Sequence, residues 1–304
     1  MAKLPLRNKP KLIVPPLTPF NKKLKVDAAA LRGIVDYVVG PCGADIVIAA
    51  GVEAQEYQYL PQNERRELIR QTIKFVDGRA DVAVGITHPS FKEAVKLAHF
   101  AEENGATSLQ LLAPNKPTGG VPTTSELIRY FELIAKETSL PIILYLNAGP
   151  GSDLSISQTI ELAKLDCIWG IKESSRDLSR ITRLISEIDL AGHAEYFTTM
   201  QVLLITMELG GSGVTLPPPA SRLARLLIDS YLAGDLNKAI QIQNQFARFP
   251  SQWMPYGLAA TMKAALNRLG VPAGDPYPPY APVSGDALDA LHAFLDSNFS
   301  PSKA

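Results

Sequence analysis

The stretch CIWGIKESS, Cys167 to Ser175, carries a lysine at the end of a short apolar run. Four of the five residues from Cys167 to Ile171 are apolar, which predicts a strand entering a core, and Lys172 stands where that strand runs out. In low-dielectric surroundings the ammonium form of a lysine is disfavoured, so its amine keeps a lone pair that can attack a carbonyl carbon. The protonated imine that results withdraws electrons from the neighbouring carbon, and C–C cleavage, C–C formation or loss of water becomes feasible without a metal. Tyr145, in ILYLNAGP, ends another apolar run, and a phenol beside such an imine can relay protons to and from substrate. Position alone leaves a second reading open, in which Lys172 pairs with Glu173 or another carboxylate at the rim and Tyr145 is a wall residue.

These residues need a frame that places strand ends side by side. Short apolar runs alternate with segments of helical period along most of the chain. Strands are expected in KLIVPP, ADIVIAAG, ADVAVGI, TSLQLLAP, LPIILYLN, CIWGIK, AEYFTT and GSGVTLP. Between them, VDAAALRGIVDYVVG spaces Leu31, Ile34, Val35 and Val38 on one helical face, Pro61 opens a helix, and Gly105 closes one. Eight strand-then-helix units predict a closed parallel (β/α)8 barrel, the TIM-barrel class of α/β fold, because apolar parallel strands need cover on both faces. The rival is an open doubly wound sheet, which would carry a glycine-rich phosphate loop after the first strand, and VPPLTPF has none. Residues 1–234 are assigned to the barrel, and residues 235–304 to a C-terminal helical appendage with helices at LNKAIQIQNQFARF, GLAATMKAALNRLG and DALDALHAFLDS. In such barrels the reactive groups sit at the C-terminal ends of the strands, which puts Lys172 and Tyr145 at one mouth.

Composition narrows the partner. The 304 residues are 46% hydrophobic and 20% charged, and thirty basic side chains balance thirty acidic ones, so the net attraction that non-specific nucleic-acid or membrane-surface binding requires is lacking. A small-molecule carbonyl substrate is expected, with no nucleic acid and no membrane. No apolar run approaches the roughly 20 residues of a membrane span, and a cytoplasmic location is expected. Cys42 and Cys167 lack metal-ligand spacing and read as reduced core residues.

At Lys172 and Tyr145 the sequence resembles the dihydrodipicolinate synthase and N-acetylneuraminate lyase family. PPLTPF, GIKESSRDLSRI, LGGSGV and the ILY that ends on Tyr145 carry the resemblance, which runs over nearly the whole chain. It implies a Schiff-base aldolase on a (β/α)8 barrel with a helical C-terminal extension, in which Lys172 forms the imine, Tyr145 is the proton-relaying phenol and no cofactor is used. It also implies a homo-oligomer, commonly a tetramer. Three departures stand beside it. The family's carboxylate-binding loop usually reads Gly-Thr-Thr-Gly-Glu, whereas here GVEAQE puts Glu53 and Ala54 where the threonines belong, and an anionic Glu53 repels a substrate carboxylate unless it is protonated or turned away. LLAPNKPTGG lacks the tyrosine pair of the synthases, one of which extends the relay across a subunit contact, and LNAGPGSDL lacks the arginine that takes the second substrate's carboxylate.

Other residues have both functional and plain readings. Asn147, two residues past Tyr145, could donate its amide to substrate, and Thr215 falls where the family places a strand-eight group near the imine. Together with Glu53 and Ala54 they form the expected substrate-binding set. Glu53 and Glu56 are too few for a hard-cation site, so no metal is assigned, and Glu56 reads as accepting backbone N–H groups of its own loop. Tyr57 and Tyr59 are either substitute phenols or packing residues, His88 reads as a loop hydrogen-bonder, and the arginines of SRLARLL read as solvated. The function expected is a lyase acting on a 2-oxo acid or related carbonyl compound. The alternatives are dihydrodipicolinate synthase proper with atypical contacts, a non-catalytic barrel that binds a metabolite or partner, and a metal-dependent enzyme using Glu53 and Glu56.

Overall fold

The computed structural model describes residues 9–53, 56–117, 119–147 and 151–299. Eight strands pair in sequence order into a closed barrel: β1 (Lys11–Val14), β2 (Ile46–Ala49), β3 (Asp81–Gly85), β4 (Ser108–Leu112), β5 (Ile142–Leu146), β6 (Ile168–Glu173), β7 (Glu195–Thr198) and β8 (Gly213–Thr215). Every resolved strand pairing is parallel. All five residues of β4 and all five of β5 are buried, as strands covered on both faces must be. Each of the eight apolar runs expected from the sequence therefore holds a strand.

The intervening helices are α1 (Ala28–Val39), α2 (Gln62–Val76), α3 (Phe91–Glu103), α4 (Thr124–Ala135), α5 (Ile156–Ala163), α6 (Leu178–Leu184), α7 (Leu203–Glu208) and α8 (Pro218–Leu232). Helix α1 buries Leu31, Ile34, Val35 and Val38, and its first turn is fixed by the Asp27 carboxylate, which accepts from the backbone N–H groups of Ala29 and Ala30. Gly105, just past α3, takes φ +86°, a conformation that glycine reaches without strain. Helix α5 fills the fifth of the eight strand-then-helix units, whose residues the periodicity does not name. It is only 8 residues long, too short to display a clear period, yet Ser155 and Gln158 form a capping box that marks its start.

Two compact units divide the chain. One gathers Asp81–Thr215 with the residues up to Lys11, and the other Leu12–Ala80 with Leu216–Ala304. In the first unit, Gly213 opens β8 at φ +138°, and a Cβ there would sit 2.1 Å from the backbone oxygen of Lys11. Only a residue without a side chain lets these two strands approach. The buried Asp189 carboxylate accepts from Tyr196 N at 2.8 Å and from Ser212 Oγ at 2.7 Å, tying the segment after α6 to β7 and to the approach of β8.

The second unit contains α9 (Leu236–Gln245), α10 (Leu258–Arg268) and α11 (Gly285–Asn298), one for each helix expected near the C-terminus. Here Arg225 of α8 corrects the solvated reading of SRLARLL. Its Nη2 donates to Gly43 O at 3.0 Å and to Asp45 Oδ2 at 2.5 Å, and the same carboxylate oxygen accepts from Leu12 N at 2.7 Å. The helical period that put Arg225 on a polar face said nothing of an acidic loop facing it.

Candidate active site

The register of β5 against β6 pairs Tyr145 with Lys172 and Leu146 with Glu173. Neighbouring strands lie about 4.8 Å apart and side chains alternate faces along each, so paired residues share a side. Lys172 Nζ accordingly lies 4.8 Å from the centroid of the Tyr145 ring, and both residues are buried, at 3% and 4% exposure. The alternation sends Glu173 the other way. Its Oε2 accepts from Arg180 Nε at 2.8 Å and its Oε1 from Ser175 N at 2.8 Å. Lys172 touches Glu173 only through the backbone oxygen, at 3.4 Å, so the Lys172–Glu173 ion pair left open by the sequence does not form.

Ser174 occupies the space between amine and phenol. Lys172 Nζ donates to Ser174 Oγ at 2.9 Å, and Ser174 Oγ donates to Tyr145 Oη at 3.2 Å. Asn147 Nδ2 donates to the same phenolic oxygen at 3.1 Å. The sequence reading named Lys172, Tyr145 and Asn147 and missed Ser174. A usable signal existed: Ser174 is two residues past Lys172, the strand period, just as Asn147 is two past Tyr145.

Asn147 and Ser174 both line a cavity of about 280 Å3, whose other walls include Ser152, Asp153, Glu173, Ser175 and Arg180. The loop that brings Ser152 there is anchored to the loop after β4. Ser152 Oγ donates to Pro114 O and lies 3.0 Å from Asn115 Oδ1, and Ser152 N donates to Ala113 O at 3.1 Å. The basic side chain in this lining, Arg180, is already engaged by Glu173. Asp153, at the exposed rim, adds negative charge.

Thr215 ends β8 in the same unit, buried, and its hydroxyl has no hydrogen bond among the described residues. His88 Nδ1 accepts from Ser90 N at 2.9 Å, which makes it a loop hydrogen-bonder.

The remaining candidates belong to the second unit. Ala54 lies outside the described residues. Glu53 curls back on its own loop, its Oε2 lying 3.2 Å from the point where a Cβ on Gly51 would sit. Glu56 is buried and its partners differ from those expected. Lys263 Nζ approaches its two carboxylate oxygens at 2.9 and 3.0 Å, and Tyr277 N donates to Oε1 at 3.2 Å, so distant segments rather than its own loop hold it. Burial pushes the Glu56 carboxyl up from its ordinary range, and burial pushes the Lys263 ammonium down; their mutual attraction opposes both shifts. Tyr57 packs under the Arg65 guanidinium at 4.1 Å, and Tyr59 stacks on Tyr277 with ring centroids 4.8 Å apart. Both are packing residues here. Among the described residues no group of three or more His, Cys, Asp or Glu side chains is arranged to hold a metal ion.

Comparison with known proteins agrees with this architecture. Residues 8–298 match the Dihydrodipicolinate synthetase family. The 4-hydroxy-tetrahydrodipicolinate synthase of Bacillus velezensis is 31% identical over 286 residues, covering 92% of this chain and 96% of its own. A crystal structure of dihydrodipicolinate synthase superposes with a TM-score of 0.81 at 26% identity, over 94% of this chain and 98% of that one. YagE, a prophage protein of the dihydrodipicolinic acid synthase family from E. coli K12 solved in complex with pyruvate, shares the fold with a TM-score of 0.86 at 23% identity, over 95% and 98% of the two chains. The matched span and the relatives' identity place this chain in the dihydrodipicolinate synthetase family, as a Schiff-base lyase acting on a carbonyl compound.

Proposed function

We propose that the substrate is a 2-oxo acid or a close carbonyl relative, that Lys172 is the nucleophile and that Tyr145 is the general acid/base. The observation that carries this reading is the 4.8 Å placement of a buried amine over a buried phenol ring, with the adjacent carboxylate of Glu173 directed to Arg180. The Lys172 amine adds to the carbonyl carbon, Tyr145 supplies the proton with which the carbonyl oxygen leaves as water, and the imine becomes the electron sink. Cleavage, formation of a C–C bond or dehydration at the neighbouring carbon then proceeds through the enamine. Asn147 orients Tyr145 and is within reach of substrate, while Thr215, Glu53 and Ala54 complete the proposed binding set. No cofactor enters the scheme. The cytoplasm is the proposed location, and a homo-tetramer the proposed assembly.

Dihydrodipicolinate synthase proper is the second reading, favoured by the name of the Bacillus relative. Against it stands the segment LNAGPGSDL after β5, which lacks the basic residue that would take a second substrate's carboxylate. Borohydride reduction with a panel of 2-oxo acids, followed by peptide mass mapping, tests the main reading. A stable adduct on Lys172, lost in Lys172→Ala, is the expected result. An adduct elsewhere, or none from any member of the panel, overturns it.

A further inference from the structure

Amine and phenol need a path for protons, because addition to a carbonyl leaves a charge to be moved from nitrogen to oxygen. Ser174 Oγ is 2.9 Å from Lys172 Nζ and 3.2 Å from Tyr145 Oη. We propose that Ser174 is a catalytic residue, whose hydroxyl carries the proton between Lys172 Nζ and Tyr145 Oη while the imine forms. This inference rests on the assignment of Lys172 as the nucleophile.

The chemistry of a hydroxyl suits the task. Serine has one donor and two acceptor positions, and its proton rotates freely to face either neighbour. As placed, it accepts from the amine and donates to the phenol, so the chain of donors already runs from Nζ to Oη. Asn147 Nδ2 donates to Oη at 3.1 Å and helps fix the phenolic oxygen at the end of this chain.

The transfer balances. Attack by Nζ gives an adduct with a cationic N–H and an alkoxide oxygen. The N–H proton passes to Ser174 Oγ, the Ser174 proton passes to Tyr145 Oη, and the Tyr145 proton passes to the alkoxide. One N–H and two O–H bonds break, three O–H bonds form, serine and tyrosine end as they began, and nothing is oxidised or reduced. A hydroxyl that only braced Lys172 would change where the amine sits but not how many protons move together.

That difference sets the test. Wild-type enzyme, Ser174→Ala and Ser174→Thr are mixed with pyruvate, 2-oxobutyrate or 2-oxoglutarate and quenched with borohydride at successive times, in H2O and in H2O/D2O mixtures. In Ser174→Ala, adduct formation on Lys172 slows about 100-fold while its final extent is kept, as expected for loss of a proton-transfer group. Ser174→Thr, which retains the hydroxyl, recovers most of the rate. The wild-type rate depends on deuterium fraction along a curve, as several protons in flight require, and the alanine variant follows a straight line. An alanine variant that folds, shown by an unchanged melting curve, and forms adduct at the wild-type rate overturns the relay and leaves the role of Lys172 intact. So does one whose adduct extent falls while the curved isotope dependence persists, since that marks a brace. If wild-type enzyme forms no adduct on Lys172, the Schiff-base assignment fails and the relay falls with it.

Discussion

Lys172 and Glu173 are adjacent in the chain and face opposite surroundings. One lies against the Tyr145 ring and the Ser174 hydroxyl, and the other is held by Arg180 and a backbone N–H. The strand period of two separates them, so a basic and an acidic neighbour do not quench one another. Tyr145 Oη receives hydrogen bonds from Ser174 and Asn147. Replacing Tyr145 with Phe keeps the ring and removes the phenolic proton. Steady-state kinetics of Tyr145→Phe should show kcat lower by about 10²–10⁴-fold with little change in KM, as for loss of a general acid/base. The adduct on Lys172 should still form, more slowly. An unchanged kcat would remove Tyr145 from the chemistry.

Among the elements, β5 and β6 carry the reactive pair because their register aligns Tyr145 with Lys172, and the loop after β5 is pinned by Ser152 to the loop after β4. A second buried lysine serves structure. Lys263 of α10 pairs with Glu56 and donates to Asp275 O at 2.9 Å, joining α10 to two loops of its unit. Burying both charges is costly, and removing one partner leaves the other uncompensated. Lys263→Met alone should destabilise the fold by about 3–5 kcal/mol, whereas Glu56→Gln with Lys263→Met should recover most of that loss. The sign of the pH dependence follows from Glu56. Its folded-state pKa is raised, so its contribution to stability is fully present below the ordinary value of 4.5 and is lost as pH rises through the folded value. Without Lys263 the pKa rises further, so the deficit of Lys263→Met should shrink on acidification toward pH 4.5. Denaturant titrations across that range measure it, and a deficit that grows in acid would contradict the pairing.

For the molecule as a whole, closure of eight strands into a barrel abolishes sheet edges and exposes strand ends instead, which is why one face of the fold collects the chemistry. Equal numbers of acidic and basic residues give no long-range field to steer a charged macromolecule, consistent with a small substrate. No helix among the described residues is long and apolar enough to cross a membrane. The proposed tetramer is tested by sedimentation equilibrium, with an expected mass of four times the 32.9 kDa chain, independent of salt over the physiological range. A monomer at micromolar concentration would exclude the assembly expected from the family.

The sequence by itself determined the order of strands and helices, because apolar runs and helical periods are local patterns that a linear reading can count. Leu31, Ile34, Val35 and Val38 announced the buried face of α1, and the ends of β5 and β6 announced Tyr145 and Lys172. The position of helix α5 escaped because 8 residues hold too few turns for a period, and Ser174 escaped because a serine after a lysine is unremarkable until a neighbouring strand supplies a phenol. Only the tertiary structure decided partners across the chain. Lys263 with Glu56 spans 207 residues and Arg225 with Asp45 spans 180, and no pattern in either segment names the other. Periodicity fixes which way a side chain points along its own element, while the identity of what it meets depends on strand register and loop path, which are set by packing of the entire core.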